Sequence, residues 1–303
     1  MASVGAFAAA VSVAVLVARR LIGRDNARVS VLSGRVDSYG GINVVLDAAV
    51  HGVNGVSVFA ARVDTSLAEW RAAGRKGAWI TVPAALSDCI RPLLERSFVY
   101  HHAEGDHAVL CAWLPGGESH LPTGCTHQVG VGAVCVNAAN EILLVREATG
   151  PAARPGLWKI PTGLVDVGEE LSDAVVREVK EEVGIDATFE KVLVARHGHG
   201  MLFGKSDLFF VCLVRPTRGA SASDSAAEFA LQRSEIAEAK WAAFDDFIAG
   251  TPYPAASPLW KRVYELCRNA TSGRVGDVAG IQHERLEQGW RPGSSSIYHA
   301  VAE

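Results

Sequence analysis

Residues 163–185 read GLVDVGEELSDAVVREVKEEVGI, and this stretch predicts a helix with carboxylates on its inward face. At 3.6 residues per turn, the positions that share one stripe are Leu171, Val175, Glu178 and Glu182. Glu181 lies beside that stripe. Like charges at this spacing repel one another, and burying a carboxylate without a partner is unfavourable. A divalent cation would stabilise the cluster, and its hard oxygen ligands favour Mg²⁺ or Mn²⁺.

The ends of this helix are also marked in the sequence. Glu169 and Glu170 suit the positive end of a helix dipole, and Gly184 suits a left-handed cap. The alternative interpretation is a solvated acidic helix. We favour the metal-binding interpretation because the bracketing glycines and the inward carboxylates occur together.

The same stretch resembles the Nudix box, whose fixed positions are filled by Gly163, Glu169, Arg177, Glu178, Glu181, Glu182 and Gly184. The resemblance implies hydrolysis of a diphosphate linked to a nucleoside or a similar group. It also implies an α/β/α sandwich, and the predicted order of strands and helices is likewise that of an α+β fold.

Short sequence segments outside the box resemble those of the Nudix hydrolases that carry a small α/β pre-Nudix domain. They lie between residues 29 and 247, at 79, 98–104, 113–115, 127–133, 158–163 and 205–207. This branch includes enzymes similar to ADP-ribose and NADH pyrophosphatases, and its extra domain resembles an acetyltransferase. Residues 71–77 miss the phosphate-cradling spacing of acetyltransferases by one residue. We therefore expect residues 29–115 to serve packing or oligomerisation, with a homodimer as one outcome.

Composition limits the class of protein. The chain has 303 residues, of which 49% are hydrophobic and 20% charged, as in ordinary globular proteins, and its length suggests two domains. The net charge of −4 and the lack of a basic block argue against a nucleic-acid polymer as partner. A small nucleotide substrate is what the resemblance to the Nudix box implies. The six cysteines form no CxxC pair, so zinc and dithiol sites are not expected, and Cys135 is predicted to be a buried thiol.

Residues 1–24 form an apolar leader. Residues 2–18 are apolar apart from Ser3 and Ser12, and arginines follow them. One interpretation is a membrane anchor that leaves the remaining domains facing the cytosol; the other is a mitochondrial transit peptide. Without either role the protein would be cytoplasmic.

Two domains and a C-terminal extension follow the leader. We place the pre-Nudix domain at 29–115, the Nudix domain at 127–250, and a helix with a tail at 251–303. Helices are predicted at 64–73, 84–96 and 258–269, besides the box helix. β-Hairpins are predicted over 98–114 and over 129–146, and further strands at 78–82, 190–196, 207–213 and 236–241.

The box suggests roles for its residues. Glu178, Glu181 and Glu182 would hold the cation, and the carbonyl of Gly163 would add an oxygen. The fork of Arg177 would hold neighbouring carboxylates in place. Glu169 would either support the loop, join the metal shell, or simply begin the helix.

The general base and the substrate contacts are less narrowly defined. Glu181, Glu182 and Glu235 are the candidates for the base. Arg196, His197 and Lys205 would meet phosphate or ribose, and Trp158 would stack on a base; surface or packing roles are the alternatives.

Three classes of function remain open. The leading hypothesis is a metal-dependent pyrophosphatase for ADP-ribose or NADH that releases AMP. Its enzymatic alternative is a hydrolase of modified nucleoside triphosphates or of coenzyme A. A catalytically weak nucleotide-binding regulatory module is the third, and the intact set of box glutamates argues against it.

Overall fold

The computed structural model describes residues 30–51, 55–217, 229–250, 258–271, 281–287 and 294–300. The apolar leader predicted over residues 1–24 lies outside these ranges. None of the helices within them is long and apolar enough to cross a membrane. The chain divides into two compact units between Cys125 and Thr126.

The N-terminal unit is built on a five-stranded sheet with the strand order β1-β2-β3-β5-β4. Its elements are β1 (Arg35–Val36), β2 (Ile42–Val45), α1 (Ala48–His51), α2 (Val56–Ala72), β3 (Gly77–Pro83), a 3₁₀ segment (Ala84–Cys89), α3 (Ile90–Leu94), β4 (Val99–Glu104) and β5 (His107–Trp113). Strands β2 and β3 are parallel and the other neighbours are antiparallel. The predicted hairpin of β4 and β5 is confirmed.

Side chains alternate between the two faces of this sheet. One face forms the core with α2, and its buried residues include Val44, Ile80, Leu110, Phe59 and Val63. Asn43 and Trp79 lie opposite each other on β2 and β3, at the intervening positions. They therefore point to the other face of the sheet.

Two predicted helices of this unit have different bounds in the structure. α2 begins at Val56 rather than at residue 64, because Phe59 and Val63 continue its buried stripe toward the N-terminus. The helix predicted at 84–96 is a 3₁₀ segment followed by the short α3. Pro92 has no N–H to donate to a carbonyl one turn earlier, so a continuous α-helix through residues 84–96 is interrupted there.

The C-terminal unit contains a six-stranded sheet, β13-β12-β9-β10-β6-β8, and a two-stranded sheet, β11-β7. Its elements are β6 (His127–Cys135), β7 (Ile142–Glu147), β8 (Thr162–Leu164), α4 (Leu171–Val183), β9 (Ala187–Gly198), a 3₁₀ turn (Leu202–Gly204), β10 (Ser206–Pro216), β11 (Ile236–Ala242), α5 (Phe244–Gly250), α6 (Pro258–Thr271), β12 (Ile281–Glu287) and β13 (Ser294–Ala300). Strand β10 runs parallel to β6 and antiparallel to β9.

Buried side chains cover both faces of β6. Val131 and Ala133 belong to the core that includes α4, whereas Val134 belongs to the core that includes α5 and α6. Helices therefore pack on both sides of the large sheet. The predicted α+β class and the α/β/α sandwich are confirmed.

The hairpin predicted over 129–146 is wrong. Strand β6 pairs with β10 and β8, whereas β7 pairs with β11, and only a bridge between Val136 and Ile142 links them. Both strands are buried on both faces, so neither shows the alternating pattern that identifies a hairpin partner.

The region after residue 250 contains more structure than the predicted helix and tail. α6 agrees with the helix predicted at 258–269. Strands β12 and β13 pair with each other and join the large sheet where Ile281 lies opposite Val192. The sequence predicts neither strand, because each contains few apolar residues.

All six cysteines are free thiols, and five of them are buried. Burial raises the pKa of Cys135 to about 12, and the pKa of Cys267 also to about 12. These thiols are therefore unreactive at neutral pH. Cys125, where the chain passes from one unit to the other, is exposed.

Candidate active site

The predicted stripe of carboxylates lies on α4. The helix ends at Gly184, which has a φ of 79° and donates its N–H to the Lys180 carbonyl at 2.9 Å. Glu182 is only 3% exposed, the Glu178 side chain is 13% exposed, and the Glu181 side chain is 51% exposed. α4 thus directs Glu178 and Glu182 inward and leaves Glu181 at the rim.

Gly163 lies directly against Glu178. Strand β8 brings it there by pairing Gly163 with Val131 of β6. A methyl group built on Gly163 would overlap the carboxyl carbon and both carboxyl oxygens of Glu178. Only glycine permits this close approach of backbone and carboxylate.

Arg177 joins the carboxylates of the box to one another. It donates two hydrogen bonds to Glu169, at 2.7 and 2.9 Å, one to Glu178 at 2.8 Å and one to Glu181 at 3.1 Å. It also donates to the Leu164 carbonyl at 2.9 Å. The hydrogen bonds to Glu169, and after them those to Glu178, raise the pKa of Arg177. The guanidinium therefore fixes the loop before the helix to the helix itself.

A second cation, Lys159, also acts on the cluster, since its charge lowers the pKa of Glu182. Its ammonium forms an ion pair with Glu147 and donates to Thr162 Oγ1 at 2.8 Å. Sequence reasoning missed both Lys159 and Glu147. The signals were weak: Lys159 lies in the phrase before the box, and Glu147 directly follows a predicted strand. Only a backbone bridge between Val145 and Lys159 brings them together.

Glu182 has one carboxyl oxygen that is not satisfied. Oε1 accepts a hydrogen bond from the Thr162 N–H at 3.4 Å, whereas Oε2 is buried without a partner among the described residues. Burial raises the pKa of Glu182 to about 8; Lys159 opposes this, and the negative charges of Glu178 and Glu235 add to it. Burial also raises the pKa of Glu178, although Arg177 opposes it.

Glu235 reaches the same region from the start of β11. Its carbonyl accepts the Ala148 N–H at 2.7 Å, and the next residue, Ile236, lies opposite Glu147. Its negative charge is among the influences that raise the pKa of Glu178 and of Glu182. The structure therefore brings Glu235 to the glutamate cluster.

The donor set fits a hard divalent cation. As the described side chains stand, no three Asp, Glu, His or Cys residues have the geometry of a metal site, and Arg177 and Lys159 form ion pairs with several of the carboxylates. The free acceptors are nevertheless oxygens, which Mg²⁺ and Mn²⁺ prefer. Oε2 of Glu182 lacks a partner among the described residues, and a cation would compensate for the burial, and for the smaller repulsion, that raise the pKa of Glu182 and of Glu178.

Arg196, predicted to contact substrate, is held by protein side chains. It forms an ion pair with Asp207, and the two side chains are only 14% and 5% exposed. Its guanidinium carbon lies 5.4 Å from the ring centre of Phe209 and 5.5 Å from that of Trp260. These contacts position Arg196 in the packing of β9, β10 and α6.

The other predicted substrate contacts lie in different surroundings. His197 Nε2 is 2.9 Å from His127 Nε2. Lys205 is exposed in the turn before β10. Trp158 is partly buried beneath Lys240, whose ammonium lies 4.2 Å from the ring centre.

Comparison with known proteins identifies the family. The family model described as the NUDIX domain matches residues 126–265, and one described as a Nudix hydrolase domain matches residues 32–114. Nudix hydrolase 8 of Arabidopsis thaliana is 37% identical over 277 residues, which is 90% of this chain and 70% of that protein. The chain belongs to the Nudix hydrolase family. Nudix hydrolase 2 of the same plant is 37% identical, and the aligned region covers 78% of this chain and 81% of that protein.

A mammalian relative aligns over a shorter region. The human protein named nucleoside diphosphate-linked moiety X motif 6 is 37% identical, and the aligned region covers 61% of this chain and 59% of that protein. Nudix enzymes act on small nucleotides and generally use divalent cations. This Nudix protein is accordingly a pyrophosphatase, an enzyme that hydrolyses phosphoric anhydride bonds.

Proposed function

We propose that this Nudix hydrolase cleaves the diphosphate of ADP-ribose or NADH and releases AMP. The observation that carries the proposal is the buried Oε2 of Glu182, which has no partner in the described part of the chain and lies near Glu178 in an intact box. Two further facts support the substrate class. Sequence phrases outside the box resemble the branch that includes ADP-ribose and NADH pyrophosphatases, and one relative's name refers to a nucleoside diphosphate-linked group.

The cation would be Mg²⁺ or Mn²⁺, held by Glu178, Glu181, Glu182 and the carbonyl of Gly163. When bound, such a cation neutralises diphosphate charge and lowers the pKa of an attacking water. The protein's contribution is to place these oxygens before the substrate arrives. The lack of a side chain at Gly163 and the inward position of Glu178 on α4 both serve that purpose.

Arg177 and Lys159 act as positioning residues in this proposal. Arg177 holds Glu178 and Glu181 through hydrogen bonds, and Glu169 in turn orients Arg177. Lys159 lowers the pKa of Glu182, so it favours the ionised form that a cation requires.

Glu235 is our candidate for the general base. It approaches the cluster from β11 rather than from the box helix, is exposed, and forms no ion pair in the described part of the chain. Glu235 is therefore free to take a proton from a water molecule near Glu178 and Glu182. Exposed His197 and Lys205 remain candidates for contacts with substrate phosphate or ribose, whereas Arg196 and Trp158 would act through packing.

Substrate identity can be tested with a panel. The full chain is incubated with Mg²⁺ or Mn²⁺ and ADP-ribose, NADH, NAD, coenzyme A, diadenosine polyphosphates or oxidised dGTP, and product release is followed by chromatography. We expect the highest kcat/KM, with AMP as product, for ADP-ribose or NADH. Preference for coenzyme A or for oxidised dGTP would refute this assignment while leaving the reaction type intact.

The assigned centre can be tested separately. Glu178→Gln should lower kcat by orders of magnitude on every panel substrate, because a cation-binding charge is lost while the side-chain volume is kept. Glu190→Gln is the matched control, since Glu190 is exposed on β9 and forms a surface ion pair with Arg215. Equal losses in both variants, or none in Glu178→Gln, would contradict the assigned centre.

A further inference from the structure

The N-terminal unit contains a cavity of about 880 Å³ that no step of the proposed hydrolysis uses. It lies on the sheet face that carries Asn43 and Trp79, away from the core formed with α2. One wall is the turn over residues 37–41, and another is the segment over residues 115–122, which follows β5. Its volume lies within the range of small-molecule sites.

Aromatic side chains form much of the wall of this cavity. Trp79 and Trp113 project from β3 and β5, and His120 packs edge-on against Trp113 with ring centres 5.4 Å apart. Tyr39 is 85% exposed at the tip of the turn, so its ring is free to cover a ligand. Such surfaces bind planar aromatic groups by stacking.

Polar groups of opposite charge stand at the same opening. The Asp37 carboxylate is fixed by hydrogen bonds from the N–H groups of Tyr39 and Gly41, at 2.9 and 2.8 Å, and from Asn43 Nδ2 at 3.0 Å. The ammonium of Lys76 has no acceptor among the described residues. A fixed carboxylate accepts from hydroxyl groups, and a free ammonium attracts phosphate.

One buried donor in the wall is also unsatisfied. The indole Nε1 of Trp113 is buried without a hydrogen-bond partner in the described part of the chain. A buried donor without an acceptor is unfavourable.

We propose that this cavity is a second nucleotide site, which binds a nucleoside monophosphate. Its base stacks on Trp79 and Trp113 beneath Tyr39, the ribose hydroxyls donate to Asp37, and the phosphate pairs with Lys76. All the residues of this site lie between Asp37 and Pro122, so it is separate from the glutamates of α4.

Photo-crosslinking locates the site directly. The full chain in EDTA is irradiated with 8-azido-AMP and the labelled peptides are identified by mass spectrometry. We expect label within residues 35–122, reduced in Tyr39→Ala and in Lys76→Ala but not in Tyr100→Ala or Arg75→Ala. Tyr100 is 59% exposed on β4 and Arg75 adjoins Lys76, so they match the altered residues. Label confined to residues 126–303 would overturn the proposal.

Calorimetry separates the parts of the ligand. Lys76→Ala should weaken AMP binding about tenfold, the loss of roughly one charge-assisted hydrogen bond, and should leave adenosine binding unchanged. Inorganic phosphate alone should bind too weakly to detect. Glu178→Gln should bind AMP at this site as the wild type does, which keeps the result independent of hydrolysis. AMP affinity insensitive to both Tyr39→Ala and Lys76→Ala would refute the second site.

Discussion

The carboxyl group of Glu178 occupies the space in which any side chain on Gly163 would lie. The backbone of β8 and the carboxylate of α4 are therefore in direct contact. This contact places the strand that bears the Gly163 carbonyl directly against the helix that bears Glu178.

Gly163→Ala tests that contact. The added methyl group would displace Glu178 and strain the packing of β8 on α4, so we expect a loss of roughly 1–3 kcal/mol in the free energy of unfolding. Activity should fall more than this loss explains, because Glu178 moves. Gly116→Ala is the control, since no atom lies within 4 Å of the added group. Urea denaturation measures the loss of stability, and kcat measured on the same samples gives the loss of activity. A fully active Gly163→Ala variant would contradict the close contact between Gly163 and Glu178.

Lys159→Met removes the ammonium beside Glu147 and Glu182. Without a cation in the cluster the carboxylates repel one another more strongly, so the melting temperature in EDTA should fall. The gain in melting temperature on adding Mg²⁺ should become smaller, because Glu182 without Lys159 keeps its proton more readily and a cation requires the ionised carboxylate. Lys261→Met, at an exposed position of α6, should change neither quantity. An unchanged response to Mg²⁺ would show that Lys159 does not act on the cluster.

Stability should depend on pH through Glu182. Burial raises the pKa of Glu182 from 4.5 to about 8, so between these values the folded protein retains a proton that the unfolded chain has released. The metal-free protein should therefore lose stability as pH rises through this window, by at most about 1.4 kcal/mol per pH unit. Glu182→Gln should flatten this slope and Glu190→Gln should not. Chemical denaturation in EDTA between pH 5.5 and 8 measures the free energy of unfolding at each pH. If wild type and Glu182→Gln lose stability with the same slope, Glu182 is not the group responsible.

Asp207→Asn tests whether Arg196 is a packing residue. The variant leaves the Arg196 charge buried and uncompensated, which should cost about 3–5 kcal/mol in the free energy of unfolding. Asp245→Asn breaks the surface pair with Arg268 and should cost less than about 1 kcal/mol. Chemical denaturation compares them. A stable Asp207→Asn variant with raised KM would instead make Arg196 a substrate contact.

The box helix could be predicted almost to the residue. Its spacing sets the stripe of Val175, Glu178 and Glu182, and Gly184 ends it, because both signals lie within one local segment. The pairing of Arg177 with nearby carboxylates is local in the same sense, as Glu178 and Glu181 lie within one helical turn.

The rest of the site depends on distant pairings. Glu147 and Lys159 meet because the backbone of Lys159 bridges to Val145 of β7, and a strand buried on both faces does not reveal such a partner in the sequence. Glu235 could be named as a candidate but not placed, since the register of β11 against β7 sets its position. Local patterns predict elements, whereas tertiary pairing decides which of their side chains meet.

The exposure of Cys125 has a practical consequence. The other five cysteines are buried, so a maleimide dye added to the native protein should attach at this thiol alone, without any cysteine being engineered away. Since Cys125 is the residue at which the two units divide, the emission anisotropy of that dye would report whether the units tumble together or separately when nucleotide is added.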